Sequence, residues 1–319
     1  MTTATPTHTP TSPLRIGTRG SPLALAQAHE TRERLGRAHP HLAVPGAIDI
    51  IVIKTTGDRI LDRTLAEAGG KGLFTKEIEE ALSEGAIDLA VHSMKDVPTV
   101  LPEGLAITTL LPREDPRDAW FSRDGIRLAD LAPGAVVGTA SLRRQAQILA
   151  RRPDLKVVPL RGNVQTRLRK LAEGEVDATL LALAGLRRLS LEGQVTAVLE
   201  PDEMLPAVAQ GAIGIEARLD DAVTNGLLAA LNCAETAIRV TAERGVLTAL
   251  DGSCRTPIAA LATLRPDGDV DLDAMALSPD GKIIVTTSRR FAPADALTAG
   301  LDAGAELKGR LPPGIFTVT

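Results

Sequence analysis

The chain has 319 residues, 44% hydrophobic and 24% charged, and a net charge of −4. That length holds two or three domains of roughly 100–200 residues each, the hydrophobic share sustains packed cores, and the acidic balance argues against a general nucleic-acid binder. Aromatic residues are only 2%, with no Tyr, so stacking platforms for single-stranded bases are missing too.

The N-terminal MTTATPTHTPTSP has neither the basic nor the apolar region of a signal peptide, and residues 1–13 are expected to be a disordered lead-in. The longest apolar run, Ala178 to Leu186, is far short of the ~20 residues that span a bilayer. Cys233 and Cys254 lie in no CxxC or Cys/His cluster, so no metal is expected. A cytoplasmic protein without membrane contact follows as the expectation.

In chain order, Leu14–Thr18 reads as a strand. Ser21 then caps a helix whose first residue is Pro22, pre-set for helical φ, and the apolar pattern runs to about Ala38. Further strands are expected at Ile48–Lys54, Ile87–Val91 and Leu105–Leu111, with a helix at Phe74–Glu84 ending on Gly85. This alternation predicts a largely parallel sheet with right-handed crossovers. Pro112-Arg113-Glu114-Asp115-Pro116 reads as a hinge. A second series follows: strand Val136–Thr139, helix Leu142–Arg151, strand Lys156–Leu160, helix Val164–Ala172, strand Ala178–Leu183. Ala212–Glu216, after LPAVAQG, is a candidate to return to the first sheet. The tail predicts a helix at Glu235–Leu250, three antiparallel strands (Pro257–Leu264, Val270–Leu277, Lys282–Ser288) joined by PDGD and SPDG turns, and a helix at Pro293–Lys308. The resulting domains are 1–112 with 211–230, 113–210, and 231–319.

Two features carry candidate chemistry. Lys95 and Asp96 sit just past the carboxyl end of a buried strand, where open α/β sheets bind ligands; on placement alone a solvated surface ion pair fits as well. Between Thr139 and Lys170 there is an island of seven Arg and two Lys in an otherwise acidic chain. Arg151, Arg152 and Arg169 fall mid-helix or late-helix and suit a solvated face. Arg143, Arg144 and Arg161 lie at strand ends, where free backbone N–H groups and guanidinium forks make an anion site, and Arg19 with Ser21 repeats the arrangement earlier. Gly69-Gly70-Lys71-Gly72 fails the phosphate-loop pattern. Cys254 lies in a Gly-bearing loop beside Arg255, a setting that favours thiolate, although lone cysteines are more often inert. Of five histidines only His92 is near these groups.

In combination, TRGSPLAL, KTTGD, GGKGLFTKEIE, DLAVHSMKDVP, REDPRDA, GTASLRRQ, RGNVQTRL, LPAVAQGAIGIE and DGSCRTP, in this order from residue 18 to 257, resemble the porphobilinogen deaminase family. The resemblance implies two periplasmic-binding-protein-like lobes with mixed, largely parallel sheets, plus a C-terminal α+β domain with a three-stranded antiparallel sheet. It implies a monomeric transferase of haem biosynthesis, joining four porphobilinogen molecules into hydroxymethylbilane with release of four ammonia. Its dipyrromethane cofactor is held by a thioether, and the matching residue is Cys254. Asp96 matches the catalytic carboxylate. Lys71, Lys95, Thr139, Ser141, Arg143 and Arg144 match cofactor-binding positions. Arg19, Ser21, Gln27, Arg161, Arg167 and Arg188 match substrate-binding positions, apt for pyrroles that each bear two carboxylates. Glu67 stands where relatives often have Lys, and Cys233 where they commonly have His. Two other readings are a binding protein for small anions and a nucleic-acid binder built on the Arg island; the first predicts a signal peptide and no special Cys.

Overall fold

The computed structural model describes residues 12–59, 72–251 and 256–316. Lys71, Glu67, Cys254 and nearly all of the N-terminal lead-in lie outside them. The first lobe begins with β1 (Leu14–Thr18), α1 (Pro22–Ala38), β2 (Ile48–Val52), α2 (Thr56–Arg59), α3 (Lys76–Ser83), β3 (Leu89–Ser93) and β4 (Leu105–Leu110). The chain then crosses to a second lobe of β5 (Asp118–Ser122), β6 (Val136–Gly138), α4 (Leu142–Arg151), β7 (Lys156–Val158), α5 (Val164–Ala172), β8 (Ala178–Ala182), α6 (Leu183–Arg188) and β9 (Ala197–Leu199). It crosses back into β10 (Ile213–Arg218) and α7 (Ala222–Ala229). The C-terminal unit comprises α8 (Ala234–Ala249), β11 (Ile258–Leu264), β12 (Val270–Leu277), β13 (Ile284–Phe291) and α9 (Ala296–Arg310).

The two lobes have matching sheets, ordered β2-β1-β3-β10-β4 and β7-β6-β8-β5-β9. In each, two parallel pairings are followed by two antiparallel ones made by a strand that has just crossed over: β10 in the first, β5 in the second. Both faces of each sheet are covered, as near-continuous apolar strands require. In the first lobe Ile16, Val91, Ile213 and Ile215 pack with Leu35 of α1, while Ala90 joins Ile78 and Leu82 of α3 on the other face. In the second, Trp120, Val137 and Leu180 meet Ile148 of α4, and Phe121 and Leu181 meet Leu171 and Leu186. The third sheet, β11-β12-β13, is wholly antiparallel. Here α8 and α9 approach closely enough that a Cβ on Gly300 would lie 2.1 Å from the Ala242 carbonyl oxygen.

Several expectations hold to the residue, among them α4, α5 and β12. Others shift. β3 runs two residues later than expected: Asp88, before it, is tied to Arg15, accepting from its backbone N–H and from its guanidinium, and His92 and Ser93 join the strand by pairing with Gly214 and Ile213 of β10. The strands β5 and β9 and the helices α6 and α7 were not anticipated. β5 follows directly on the proline-bracketed hinge and is buried on both faces, so it shows no alternation. The last helix starts at Ala296, after a 3-10 turn at Pro293–Asp295.

The carboxyl ends of β1, β3, β6 and β7 carry Arg19, Asp96, Ser141 and Arg161 in the segments that follow them, which is where this class of sheet gathers its ligand-binding residues.

Candidate active site

The Asp96 turn is pinned from both sides. Leu89, Ala90 and Val91 are buried in β3, and the chain then tightens into one 3-10 turn, Met94–Asp96, closed by the Val97 N–H on the Met94 carbonyl. Met94 and Val97 are 2% and 4% exposed and share an apolar cluster with Val240, Ala242 and Val246 of α8. Arg244, also on α8, donates to the carbonyls of Val97 (3.0 Å) and Pro98 (2.6 Å). The residues between these anchors, Lys95 and Asp96, are left half-buried. No described residue hydrogen-bonds the Asp96 carboxylate, but its charge is felt at Lys95 in the same lobe and at Arg167 in the other.

The second lobe presents two helix starts. Ser141 caps α4 by accepting from the Arg144 N–H (3.4 Å), and Asn163 caps α5 by accepting from the Thr166 N–H (2.9 Å). Side-chain oxygens at these positions satisfy N–H groups that have no partner within the helix. Arg143 and Arg144 then fall in the first turn of α4, where the helix dipole disfavours cations. Both are buried and ion-paired to Asp118 of β5, at 2.7 Å each. Arg143 further donates to the Leu205 carbonyl and Arg144 to the Leu180 carbonyl. Arg167 donates to the Gly162 carbonyl (2.9 Å).

Positive charge is in excess here: Lys95, Arg143, Arg144, Arg161 and Arg167 against the carboxylates of Asp96 and Asp118. Burial, reinforced by Arg144 and Arg143 against the pull of Asp96 and Asp118, lowers the Lys95 ammonium to about 8. Burial and the charges of Arg144 and Arg161 lower Arg167 to about 10. Burial also opposes the charge on Asp118, but Arg143 and Arg144 overcome it and hold that carboxyl well below its usual range. Buried Arg143 Nε, Arg144 Nε and Arg161 Nη1 have no hydrogen-bond partner. Buried donors of this kind call for acceptors, and a guest bearing several carboxylates, such as a dipyrromethane, fits both the charge and the open donors.

The other residues singled out in the sequence are placed as follows. Gln27 is buried and exchanges hydrogen bonds with Ser93 (2.8 and 3.1 Å). Ser21 caps α1 at the Ala24 N–H, and the Arg19 guanidinium lies 4.1 Å from the centroid of the Phe74 ring. Thr139 is buried and accepts from the Ser141 N–H (3.2 Å). Arg188 is occupied with Glu30 (3.2 Å) and the Gly211 carbonyl (3.1 Å). Arg151, Arg152 and Arg169 serve the second lobe itself, meeting the Asp202 carbonyl, Asp154 and Glu173 respectively. Asp118 was missed, and its signal is an acid inside the apolar run DAWF, which must find a cation once buried. Gln210 was missed too, since no pattern distinguishes a buried Gln in a crossing segment.

Comparison with known proteins bears on this arrangement. The family described as porphobilinogen deaminase, dipyromethane cofactor binding domain, matches residues 14–226, and the porphobilinogen deaminase C-terminal domain matches 237–309. A chloroplastic porphobilinogen deaminase of Oryza sativa subsp. japonica is 58% identical over 95% of this chain and 85% of its own length. The porphobilinogen deaminase of Paracoccus denitrificans is 58% identical over 96% and 97% respectively. Among solved structures, a periplasmic domain of BvgS from Bordetella pertussis gives a TM-score of 0.40 at 14% identity, over 69% of this chain and 86% of its own.

Proposed function

The chain belongs to the porphobilinogen deaminase family, and on that premise we propose that it condenses four porphobilinogen molecules head to tail into hydroxymethylbilane, releasing four ammonia, at the residues around Asp96. The observation that carries this reading is the Asp96 carboxylate, free of hydrogen bonds to described residues yet within electrostatic reach of Lys95 and Arg167 from the two lobes.

Loss of ammonia from porphobilinogen leaves a cationic, electron-poor methylene-pyrrole. A fixed carboxylate beside the pyrrole N–H stabilises that charge as it develops and is placed to take part in proton movement at the ring. Lys95, Arg143, Arg144, Arg161 and Arg167 hold the acetate and propionate groups, with bidentate Arg forks favoured for carboxylates. Cys254 is the residue through which the family's dipyrromethane would be attached as a thioether. When bound, that group supplies the pyrrole carbon onto which new rings are joined. Arg19, Ser21, Gln27 and Arg188 belong to the substrate side of the same reading. It describes a monomeric cytoplasmic enzyme of tetrapyrrole synthesis acting on a small molecule alone. No helix among the described residues is long and apolar enough to cross a membrane.

The test is to incubate the purified protein with porphobilinogen, measure ammonia and the porphyrin formed on acid closure, and weigh the intact chain with peptide mapping around Cys254. Ammonia release, porphyrin, and a covalent excess of two linked pyrroles on the Cys254 peptide are expected. A chain that gains no pyrrole mass and frees no ammonia would overturn the reading.

A further inference from the structure

Gln210 lies in the segment that crosses from the second lobe back to the first, and its side chain is bonded to both. Its Nε2 donates to the Pro116 carbonyl (2.7 Å) and to Asp118 Oδ1 (2.9 Å). Its Oε1 accepts from the Lys95 ammonium (3.4 Å). The amide is 1% exposed, and its orientation is forced: a flip would set its oxygen against a carbonyl and a carboxylate.

Its backbone is held as firmly. The Gln210 carbonyl accepts from Arg113 Nε (2.9 Å) and its N–H donates to the Ala207 carbonyl (3.0 Å). The preceding Ala209 is in the left-handed region (φ 57°), with its N–H donated to Glu243 (2.7 Å). A non-glycine residue persists there only where its surroundings dictate it.

The Lys95 ammonium therefore meets a neutral acceptor that is itself bonded to Asp118. Asp118 is already spent on Arg143, Arg144 and the Gln210 amide. The amide passes the pull of that carboxylate on to Lys95 through its own dipole, each end making a charge-assisted bond, without closing a salt bridge. No other hydrogen bond joins Lys95 to a described residue, so its remaining N–H donors stay open. We propose that Gln210 is a positioning residue that keeps the Lys95 ammonium available for a carboxylate of the bound pyrrole chain. This rests on the functional reading above.

Three variants test it. Gln210→Leu removes the acceptor at similar size, Gln210→Glu replaces it with a charge, and Gln210→Met is a second neutral variant should the first fold poorly. The direct readout is the pH dependence of Lys95 acylation by an amine reagent, followed by peptide mass mapping, which needs no turnover. The midpoint, about 8 in the parent protein, should fall by about one unit in the Leu and Met variants and rise by about one unit in the Glu variant, the scale of one hydrogen bond to a charged group. In steady-state assays the Leu variant should raise KM for porphobilinogen about tenfold and lower kcat less, as loss of ground-state binding predicts. Unchanged labelling midpoints in folded variants would overturn the role of Gln210. Shifted midpoints in a protein that never acts on porphobilinogen would instead overturn the functional reading and leave the Gln210–Lys95 coupling standing.

Discussion

Arg113 and Glu243 offer the clearest quantitative test of how the three units are joined. Their side chains are 1% and 0% exposed, and the guanidinium grips the carboxylate with two bonds of 2.6 and 3.0 Å. Glu243 also accepts from the N–H groups of Ala209 (2.7 Å) and Ala262 (2.9 Å), so one carboxylate on α8 ties the first crossing, the second crossing and β11. Arg113→Met leaves that carboxylate buried without a counter-ion, which costs about 3–5 kcal/mol. Glu243→Gln strands the guanidinium, with a similar loss. Once one partner is gone the other has little left to lose, so the double variant should show a coupling of about 2 kcal/mol or more. Urea unfolding followed by far-UV circular dichroism, and by fluorescence of the buried single Trp120 in the second lobe, gives the energies. A loss below about 1 kcal/mol for Arg113→Met, or losses that add within about 0.5 kcal/mol, would refute the reasoning.

Further outcomes follow from other sites. Asp96→Asn should keep the melting temperature but lower kcat about 10²–10⁴-fold; retained turnover would remove Asp96 from the chemistry. Gly300→Ala puts a methyl against the Ala242 carbonyl backbone of α8 and should destabilise the C-terminal unit by about 1–3 kcal/mol, which an unchanged melting curve would disprove. Raising the pH should separate activity from stability. Lys95 loses its proton at about 8 when folded against 10.5 in the unfolded chain, so the unfolded state holds more protons between those values. Its contribution to stability therefore rises through that window, by about 3 kcal/mol in total, while kcat/KM falls as the cation disappears. A parallel fall of both would contradict this assignment.

The fold was legible where local chemistry dictates it. Ser21-Pro22 announces α1, and Gly85, with φ 70°, ends the α3 segment as its position suggested. Periodicity located α4 and α5 to the residue. What escaped depends on distant partners. The strand β5 pairs with β8 and β9, which follow it in the chain, and nothing local separates its five residues, four of them buried in a row, from a loop. The candidate site divides in the same way. Asp96 and the strand-end arginines announce themselves by type and position. Asp118 and Gln210 acquire meaning only when the crossings bring β5 and the return segment beside the Lys95 turn.

Those late-arriving residues also bear on how the candidate site would receive a guest. One buried carboxylate, Asp118, partly neutralises the two guanidiniums at the start of α4, and the Gln210 amide stops short of neutralising Lys95. The excess of cations is an electrostatic burden on the fold, visible at Arg167, where the charges of Arg144 and Arg161 add to burial in lowering it. A polycarboxylate guest relieves it directly, since each anion brought near a buried cation favours its charged form. Protein carrying a bound pyrrole chain should therefore melt higher than the same protein without one, with the gain shrinking at high salt and above pH 8, where Lys95 is neutral. Differential scanning fluorimetry across salt and pH measures this. A stabilisation indifferent to both would mean that the guest is held by its rings rather than by its carboxylates, and that the Arg island serves the fold alone.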